Sequence, residues 1–494
     1  MSRTAILIGL PPALERLERQ LDLLPDRPVT LGWILAPGTA GSAGSDRDAE
    51  SSAETAPILG RLDELETIVA RRRPAMALIS LPAAMSGLIT RIRTRLRRLH
   101  VPERFMPTLE DQLAGVGPRT HLDIDLSALL DRPRRAIDEA AVGGVIAGKR
   151  VLITGAGGSI GSELARIVAR FGPRKLLLMD RAENALFEID RQIARFQPSL
   201  PRKALLHDVV DSEETLELCR RHQPEIIFHA AAHKHVPMME DHPALAVDNN
   251  LFGTKSIADA ADEIRAERFV MISTDKAVNP SSIMGATKRL AELYVQWINQ
   301  RSATAYSMVR FGNVLGSSGS VLEIWSKQIA DGGPVTVTDE AMTRYFMTIE
   351  EAATLVIQSA ALVDGSATGG EVFLLDMGEP IRIVDLARRF IDRHGLTPRG
   401  EGEAPANDGT AFMPIVFTGA RPGEKLHEQL AFDAECMEPT RHADINIWRL
   451  PSPDEGLIKD ILSALSPELR QPDAAVLADQ IRRLARSTPR PVAA

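Results

Sequence analysis

Apolar residues along the chain fall into short runs separated by amphipathic stretches, a pattern that predicts alternating strands and helices. Near the N-terminus, Ala5–Gly9, Val29–Leu35 and Ala75–Leu81 read as buried strands, with helical spacing in Leu14–Leu21 and Leu62–Ala70 between them. The pattern recurs from Lys149, where Arg150–Thr154, Lys175–Met179, Ile226–Ala232 and Phe269–Ser273 are strand-like runs and Ser162–Phe171 places Leu164, Ile167, Val168 and Phe171 on one helical face. Strands alternating with helices predict parallel sheets. The expected fold is α/β: a Rossmann-type doubly wound parallel sheet with a smaller substrate-binding subdomain, preceded by a separate small Rossmann-like α/β domain. The expected boundaries are 1–114 for the small domain, 115–148 for a connector, 149–440 for the larger domain and 441–494 for a helical tail.

Between these elements, Gly38–Ala56 is rich in Gly, Ser, Ala, Asp and Glu and reads as a loop, and Arg486–Ala494 reads as a frayed end. After the first strand, Gly9-Leu-Pro-Pro12 lacks the further glycines of a pyrophosphate turn, which favours a structural or assembly role for the small domain over a second cofactor site. Arg91–His100 is a basic helix, read either as a solvated face or as a contact for an anionic membrane surface or a partner.

Composition narrows the class. The chain of 494 residues carries a formal net charge of −8, which argues against a nucleic-acid binder. Two cysteines, Cys219 and Cys436, make no ligand pattern, so a reducing cytoplasm and no metal site are expected. Neither a membrane span nor a secretion signal is evident.

The chemistry concentrates in two places. Strand Arg150–Thr154 runs into Gly155-Ala-Gly-Gly158-Ser159-Ile160-Gly161 and then a helix, the context in which glycines bring a pyrophosphate to a helix N-terminus. Asp180 ends the next strand about 20 residues on, placed to accept from ribose hydroxyls and to repel a 2′-phosphate, which favours NAD over NADP, although Arg181 stands beside it. Asp208 and Val209 follow a further strand, and Ala230 and Ala231 leave room for a cofactor to cross a strand end. Downstream, Phe269–Ile272 delivers Ser273, Thr274, Asp275 and Lys276 to the carboxyl end of its strand, and Met284 and Lys288 share a helical face at i and i+4.

This second segment resembles the extended short-chain dehydrogenases, with Met284 where their Tyr-x-x-x-Lys helix has tyrosine. In that departure it looks like the large CapD-like polysaccharide-biosynthesis dehydratases. Ala232–Glu240, Asn250–Thr254, Arg310–Gly316, Thr343–Thr348 and Arg421–Glu428 match the same family. The resemblance implies a soluble form, lacking the membrane helices that many large members carry ahead of their N-terminal module. It implies a UDP-N-acetylglucosamine 4,6-dehydratase with tightly bound, recycled NAD: oxidation at C4 of the sugar, loss of water across C5 and C6, and reduction at C6. Asp275 is then the acid for the C6 hydroxyl, its pKa raised by burial, and Lys276 the base at C5, its pKa lowered. Thr274 bonds the C4 oxygen, and Lys288 holds the nicotinamide ribose. Asn250 is the structural asparagine beside the cofactor, and Asn313, Arg344 and Arg421 are candidates for the substrate diphosphate, with a structural salt bridge the rival role for Arg344. Since methionine is no base, Asp275, or Thr274 with a water, takes the C4 hydroxyl proton. Retention at C5 and a homo-oligomer, paired through the active-site helices, are also expected. An epimerase on related substrates is the alternative; a non-catalytic NAD-binding regulator or a membrane-associated scaffold is a different class.

Overall fold

A computed structural model of the chain describes residues 4–23, 27–37, 56–82, 85–106, 108–109, 126–130, 137–363, 371–400, 412–431, 437–448, 452–467 and 471–486. The expected 38–56 loop except its last residue, much of the 115–148 connector, Cys436 and the end beyond Arg486 lie outside them. The chain forms two compact units, one of Met1–Asp125, Gly319–Glu340 and Val384–Thr418, the other of Leu126–Ser318, Ala341–Ile383 and Gly419–Ala494.

In the first unit, strands β1 (Thr4–Gly9), β2 (Val29–Leu35), β3 (Ile58–Arg61), β4 (Met76–Ser80) and β5 (Glu103–Phe105) form a parallel sheet in the order β3-β2-β1-β4-β5. Helix α1 (Pro11–Asp22) starts on two prolines, which suits a first turn whose N–H groups have no helical partner, and buries Leu14, Leu17 and Leu21 on one sheet face. Helices α2 (Leu65–Arg72) and α3 (Ser86–Arg98) bury Leu65, Ile68, Ile89, Ile92 and Leu96 on the other. Helix α3 is the basic helix, and part of its charge is spent internally. Arg93 is 5% exposed, donates to the Gly333 carbonyl at 3.1 Å and pairs with Glu103 at 3.2 Å; Arg95 is ion-paired with Glu66. The same unit holds a three-stranded parallel sheet of Val335–Val337, Phe412–Phe417 and Thr397–Arg399, drawn from stretches that the sequence reading keeps within 149–440.

The second unit is built on nine strands. Strands β6 (Arg150–Thr154), β7 (Lys175–Asp180), β8 (Arg202–Leu206), β9 (Ile226–His229), β10 (Arg268–Ile272) and β11 (Ala305–Arg310) run parallel in the order β8-β7-β6-β9-β10-β11, followed by Glu371–Leu375. Ile445–Trp448 and Met437–Pro439 close that edge antiparallel. The order reverses between β6 and β9, the switch point where a crevice opens at strand carboxyl ends. Apolar clusters cover both faces of the sheet, so the expected doubly wound Rossmann-type sheet is the fold observed.

Helix α4 (Ser159–Arg170) follows the glycine turn, and α5 (Ile283–Asn299) carries Met284 and Lys288. Every residue of α5 but Trp297 is buried, because α6 (Glu455–Leu465) and α7 (Ala474–Arg486) pack against it and add Ile458, Ile461, Leu477 and Ile481 to its apolar cluster. Among the described residues no helix is long and apolar enough to cross a membrane, and no group of three or more His, Cys, Asp or Glu is placed to hold a metal ion. Cys219 is buried, which pushes its thiol up to about 12 and away from reactive thiolate.

Candidate active site

The first crevice follows from glycine sterics. Gly155 has φ +65°, and a Cβ there would lie 2.7–2.8 Å from backbone atoms of Ala230 and Ala231. At Gly161, in the first turn of α4, a Cβ would lie 2.0 Å from the Gly155 carbonyl oxygen. Strand end, turn and helix N-terminus are therefore packed backbone to backbone, and Gly158, Ser159 and Ile160 open α4 toward the crevice with its N–H groups. Asp180 braces the turn: one carboxylate oxygen accepts from Gly157 N–H and the other from Ala182 N–H, each at 2.9 Å. Each oxygen keeps a lone pair for a ligand hydroxyl. Gly155, Gly158, Asp180, Asp208, Val209, Ala230 and Ala231 line one cleft of about 530 Å³. Arg181 does not leave a free cation beside Asp180, since it pairs with Asp208 at 3.2 Å and contacts the His233 ring at 3.0 Å.

Asn250 stands apart from these. It is fully buried in a π-helical turn, Asp248–Phe252. Its oxygen accepts from His233 N–H at 2.8 Å, and its amide donates to the His233 carbonyl and the Thr287 hydroxyl, both at 3.1 Å. It ties the loop after β9 to α5, a positioning task.

The second crevice lies at the ends of β10 and β11. Ser273 N–H donates to the Val309 carbonyl at 2.7 Å and Asp275 N–H to the Phe311 carbonyl at 3.1 Å, which carries the pairing past the strands and fixes Thr274 and Asp275. The Thr274 hydroxyl donates to Asp275 Oδ1 at 2.9 Å, and Lys276 Nζ donates to the same oxygen at 2.9 Å and to Asn313 Oδ1 at 3.0 Å. Asp275 is fully buried, and its Oδ2 has no hydrogen-bond partner among the described residues. Gly312 packs beside that oxygen: a Cβ there would lie 3.1 Å from it. Lys276, Asn313, Arg344, Lys425 and Glu428 line a cleft of about 450 Å³. Arg344 is buried and donates to the carbonyls of Thr343 and Leu426, so a backbone anchor takes the place of the salt bridge considered for it. Arg421 sits at the exposed rim, 3.7 Å from Glu424.

Helix α5 is pressed onto this site. Ser282 caps it by accepting from Gly285 N–H at 3.1 Å, and Glu240 accepts from Ile283 N–H at 2.7 Å. Glu240 in turn accepts from Arg482 of α7 at 2.5 Å, so the tail helix holds the start of α5. A Cβ at Gly285 would lie 2.1 Å from the Lys276 carbonyl oxygen, so only glycine allows this approach. Met284 lies in the apolar cluster, and Lys288 is 4% exposed.

Burial pushes the Lys288 ammonium down to about 8, with the Glu292 carboxylate opposing. Below that pH the folded protein carries the cost of a buried ammonium. From about 8 toward the ordinary value of 10.5 the unfolded chain holds a proton that the fold has shed, so stability rises with pH across that window. Lys288→Met should therefore raise stability at neutral pH by about 1–3 kcal/mol. That gain should shrink as the pH is raised to about 10; urea melts at a series of pH values check it, and a variant less stable than the parent at neutral pH would contradict it.

His229, at the end of β9, was not singled out from sequence. It is buried between Thr154, 2.8 Å from Nδ1, and Thr254, 3.0 Å from Nε2. Thr254 gives its own proton to the Asn250 carbonyl, so it accepts from Nε2–H, and Nδ1 accepts from Thr154. The ring is neutral, with burial and then the charge of Lys288 pushing it down to about 3.

The sequence profile of the polysaccharide biosynthesis protein family matches residues 151–449. The chain belongs to that family. The capsular polysaccharide biosynthesis protein CapD of Staphylococcus aureus is 42% identical over 381 residues, 76% of this chain and 61% of CapD, so the chain spans about three fifths of that relative's length. The resemblance to CapD-like proteins read from the sequence is thereby borne out. A UDP-N-acetylglucosamine 4,6-dehydratase (inverting) of Campylobacter jejuni is 32% identical over 57% of this chain and 77% of its own. A UDP-glucose 4-epimerase of Rickettsia rickettsii is 33% identical over 61% of this chain and 83% of its own. Among solved structures, Pen from Bacillus thuringiensis is 29% identical with a TM-score of 0.54, covering 62% of this chain and 90% of Pen. The matched region of this family member holds both crevices.

Proposed function

We propose that this member of the family is an NAD-dependent UDP-N-acetylglucosamine 4,6-dehydratase. The observation that carries the reading is the Thr274–Asp275–Lys276 arrangement, in which a hydroxyl and an amine converge on one buried carboxylate oxygen while the other oxygen has no partner among the described residues. The named dehydratase relative supports the substrate class.

The first crevice fits a dinucleotide, because its glycine cradle would be filled by any Cβ and Asp180 offers lone pairs to a ribose diol. Bound there, NAD supplies reversible two-electron oxidation at C4 of the sugar and reduction at C6. Asp180 repels a 2′-phosphate, and Arg181 is occupied by Asp208, so NAD is preferred to NADP. Lys288 is the residue for the nicotinamide ribose.

The chain's own groups account for the protons. The C4 hydroxyl gives its proton to Thr274 Oγ1 as Thr274 passes its own to Asp275 Oδ1, a relay along a bond already formed and one that replaces the missing tyrosine. Lys276, as the amine, takes the proton from C5, acidified by the neighbouring ketone. The C5 electron pair forms the C5–C6 double bond as the C6–O bond breaks, and Asp275 gives its proton to the departing oxygen, releasing water. Lys276 returns a proton to C5 as C6 is reduced. Asp275 and Lys276 end as they began, and one water has been lost.

An epimerase needs no acid and base beyond C4, which is why the Asp275–Lys276 pair favours dehydration over the reading suggested by the epimerase relative. Retention at C5 is part of the proposal and rests on Met284 standing in the tyrosine position, whereas the named dehydratase relative is inverting; proton coupling constants of the product distinguish the two. A homo-oligomer is also proposed, using a surface other than α5, which α6 and α7 of the same chain cover.

Mass spectrometry of UDP-N-acetylglucosamine incubated with the protein in heavy water tests the reading. A product lighter by one water and carrying deuterium at C5 is expected, with none from Lys276→Ala. Recovery of unlabelled substrate from wild-type protein loaded with NAD would refute dehydration of this sugar.

A further inference from the structure

The proton relay leaves one buried carboxyl of the second crevice unused. Glu428 closes the Arg421–Glu428 stretch, is 8% exposed and stands at the wall of the cleft that Lys276, Asn313 and Arg344 also line. Among the described residues its buried Oε2 has no hydrogen-bond partner, and the cation paired with it, Lys425 Nζ, is 3.8 Å away, outside hydrogen-bond reach. A carboxylate oxygen in that position is costly unless a donor reaches it.

Among the described residues, the cations around Glu428 make their hydrogen bonds to other groups. Lys276 gives N–H groups to Asp275 and Asn313, Arg344 to the carbonyls of Thr343 and Leu426, and Lys425 to the Val278 carbonyl at 2.9 Å. The unmet acceptor therefore faces a cleft whose other walls are the groups that handle the sugar.

We infer that Glu428 is a substrate-contacting residue whose Oε2 accepts a hydrogen bond from the hexose of the nucleotide sugar, through a ring hydroxyl or the acetamido N–H, and so helps to select the sugar. The inference rests on the dehydratase reading for the class of ligand alone. It assigns Glu428 to the sugar and leaves the nucleotide to Arg421 and its neighbours at the rim. Charge around the carboxyl comes from Lys276 and Asp275 at the end of β10, Arg344, and Lys425 on its own loop. Burial, the largest influence, pushes the carboxyl up, Lys276 pulls it down, Asp275 pushes it up, and Arg344 and Lys425 pull it down; the outcome is upward. The charged form of the acceptor is thus lost on the acid side, and sugar binding should weaken as pH falls.

Calorimetric titration of the full chain with UDP-N-acetylglucosamine, UDP-N-acetylgalactosamine, UDP-glucose and UDP tests this, using wild type, Glu428→Gln and the conservative Glu428→Asp. Glu428→Gln should weaken the tightest nucleotide sugar by about ten- to a hundred-fold, flatten the acid-side fall in its affinity and leave UDP unchanged, with partial recovery in Glu428→Asp. Unchanged sugar affinity in Glu428→Gln, or sugar and UDP falling together, overturns the inference. Wild type that binds a nucleotide sugar but releases no water from it sinks the dehydratase reading and leaves the Glu428 comparison intact; wild type that binds none of the three sugars overturns both.

Discussion

Glu292→Gln should cost about 3–5 kcal/mol of stability, the usual penalty for removing one partner of a buried ion pair. Glu292 is fully buried within α5 and serves three elements at once. It accepts from Arg310 Nε at 2.7 Å and Nη2 at 2.5 Å at the end of β11, from the Ser273 hydroxyl at 2.7 Å at the end of β10, and from Arg289 at 3.1 Å on its own helix. Glutamine cannot balance two buried guanidinium groups. Burial alone would push the Glu292 carboxyl up, but the charge and hydrogen bonds of Arg310, then Arg289 and Ser273, outweigh it and hold it at about 2. Its folded value lies below the ordinary 4.5, so its contribution is present above about pH 4.5 and is lost as pH falls toward 2. The deficit of the glutamine variant should therefore be full at pH 7 and narrow below pH 4.5, as chemical denaturation at several pH values would reveal. A loss at pH 7 smaller than about 1 kcal/mol would mean that the cluster contributes little to the fold.

This cluster also explains why the active site sits where it does. Ser273 immediately precedes Thr274-Asp275-Lys276, and Arg310 precedes Phe311-Gly312-Asn313, so one carboxylate on α5 registers both strand ends against the helix that bears Lys288. Replacing Glu292, Arg289 and Arg310 together by apolar residues of similar volume tests stability separately from placement, since such exchanges are often neutral or better for stability.

The part of this arrangement written in local spacing was legible beforehand. Gly155 and Gly161 declare a strand-turn-helix because two close backbone approaches demand glycine within seven residues. Asp180 and the Thr274–Lys276 run follow their strands directly. What could not be read depends on partners far along the chain. Arg93 belongs to a helix that reads as solvated or membrane-facing, yet its guanidinium is buried against the carbonyl of Gly333. Glu292 looks like any polar residue on an amphipathic helix until the ends of β10 and β11 bring Ser273 and Arg310 to it. Glu428 lay inside a quoted motif, but nothing in the spacing tells a buried carboxylate from one at the surface. Asn250 is expected as a structural asparagine beside the cofactor, but its partners, His233 and Thr287, are set by the fold and not by local spacing.

The largest effects on activity should come from the two ends of the proton relay, and they should differ in kind. Lys276→Met, Asp275→Asn and Thr274→Val should each reduce dehydration by about two to four orders of magnitude, the range for losing a positioned acid or base. Lys276→Met keeps the Thr274-to-Asp275 bond, so the C4 proton still has somewhere to go. This variant should accumulate a 4-keto sugar that retains its C6 oxygen and takes up no deuterium at C5. Asp275→Asn removes the terminus of the relay, and Thr274→Val removes its middle, so neither should form the ketone. Quenching the NAD-loaded variants and reducing with borodeuteride would place deuterium at C4 of whatever ketone had formed, and mass spectrometry would count it. Ketone at the wild-type rate in Asp275→Asn would show that Asp275 is only the acid for the C6 oxygen and that another group removes the C4 proton. Absence of ketone in Lys276→Met would mean that Lys276 is needed before C5 chemistry begins. The shared oxygen matters for the same reason: the relay leaves its proton on Asp275 Oδ1, so the carboxyl must turn to present that proton to the departing C6 oxygen, and Gly312 leaves room for the turn, since Oδ2 has no hydrogen-bond partner among the described residues and a Cβ at Gly312 would lie 3.1 Å from it. A side chain at Gly312 should then suppress water loss more than ketone formation.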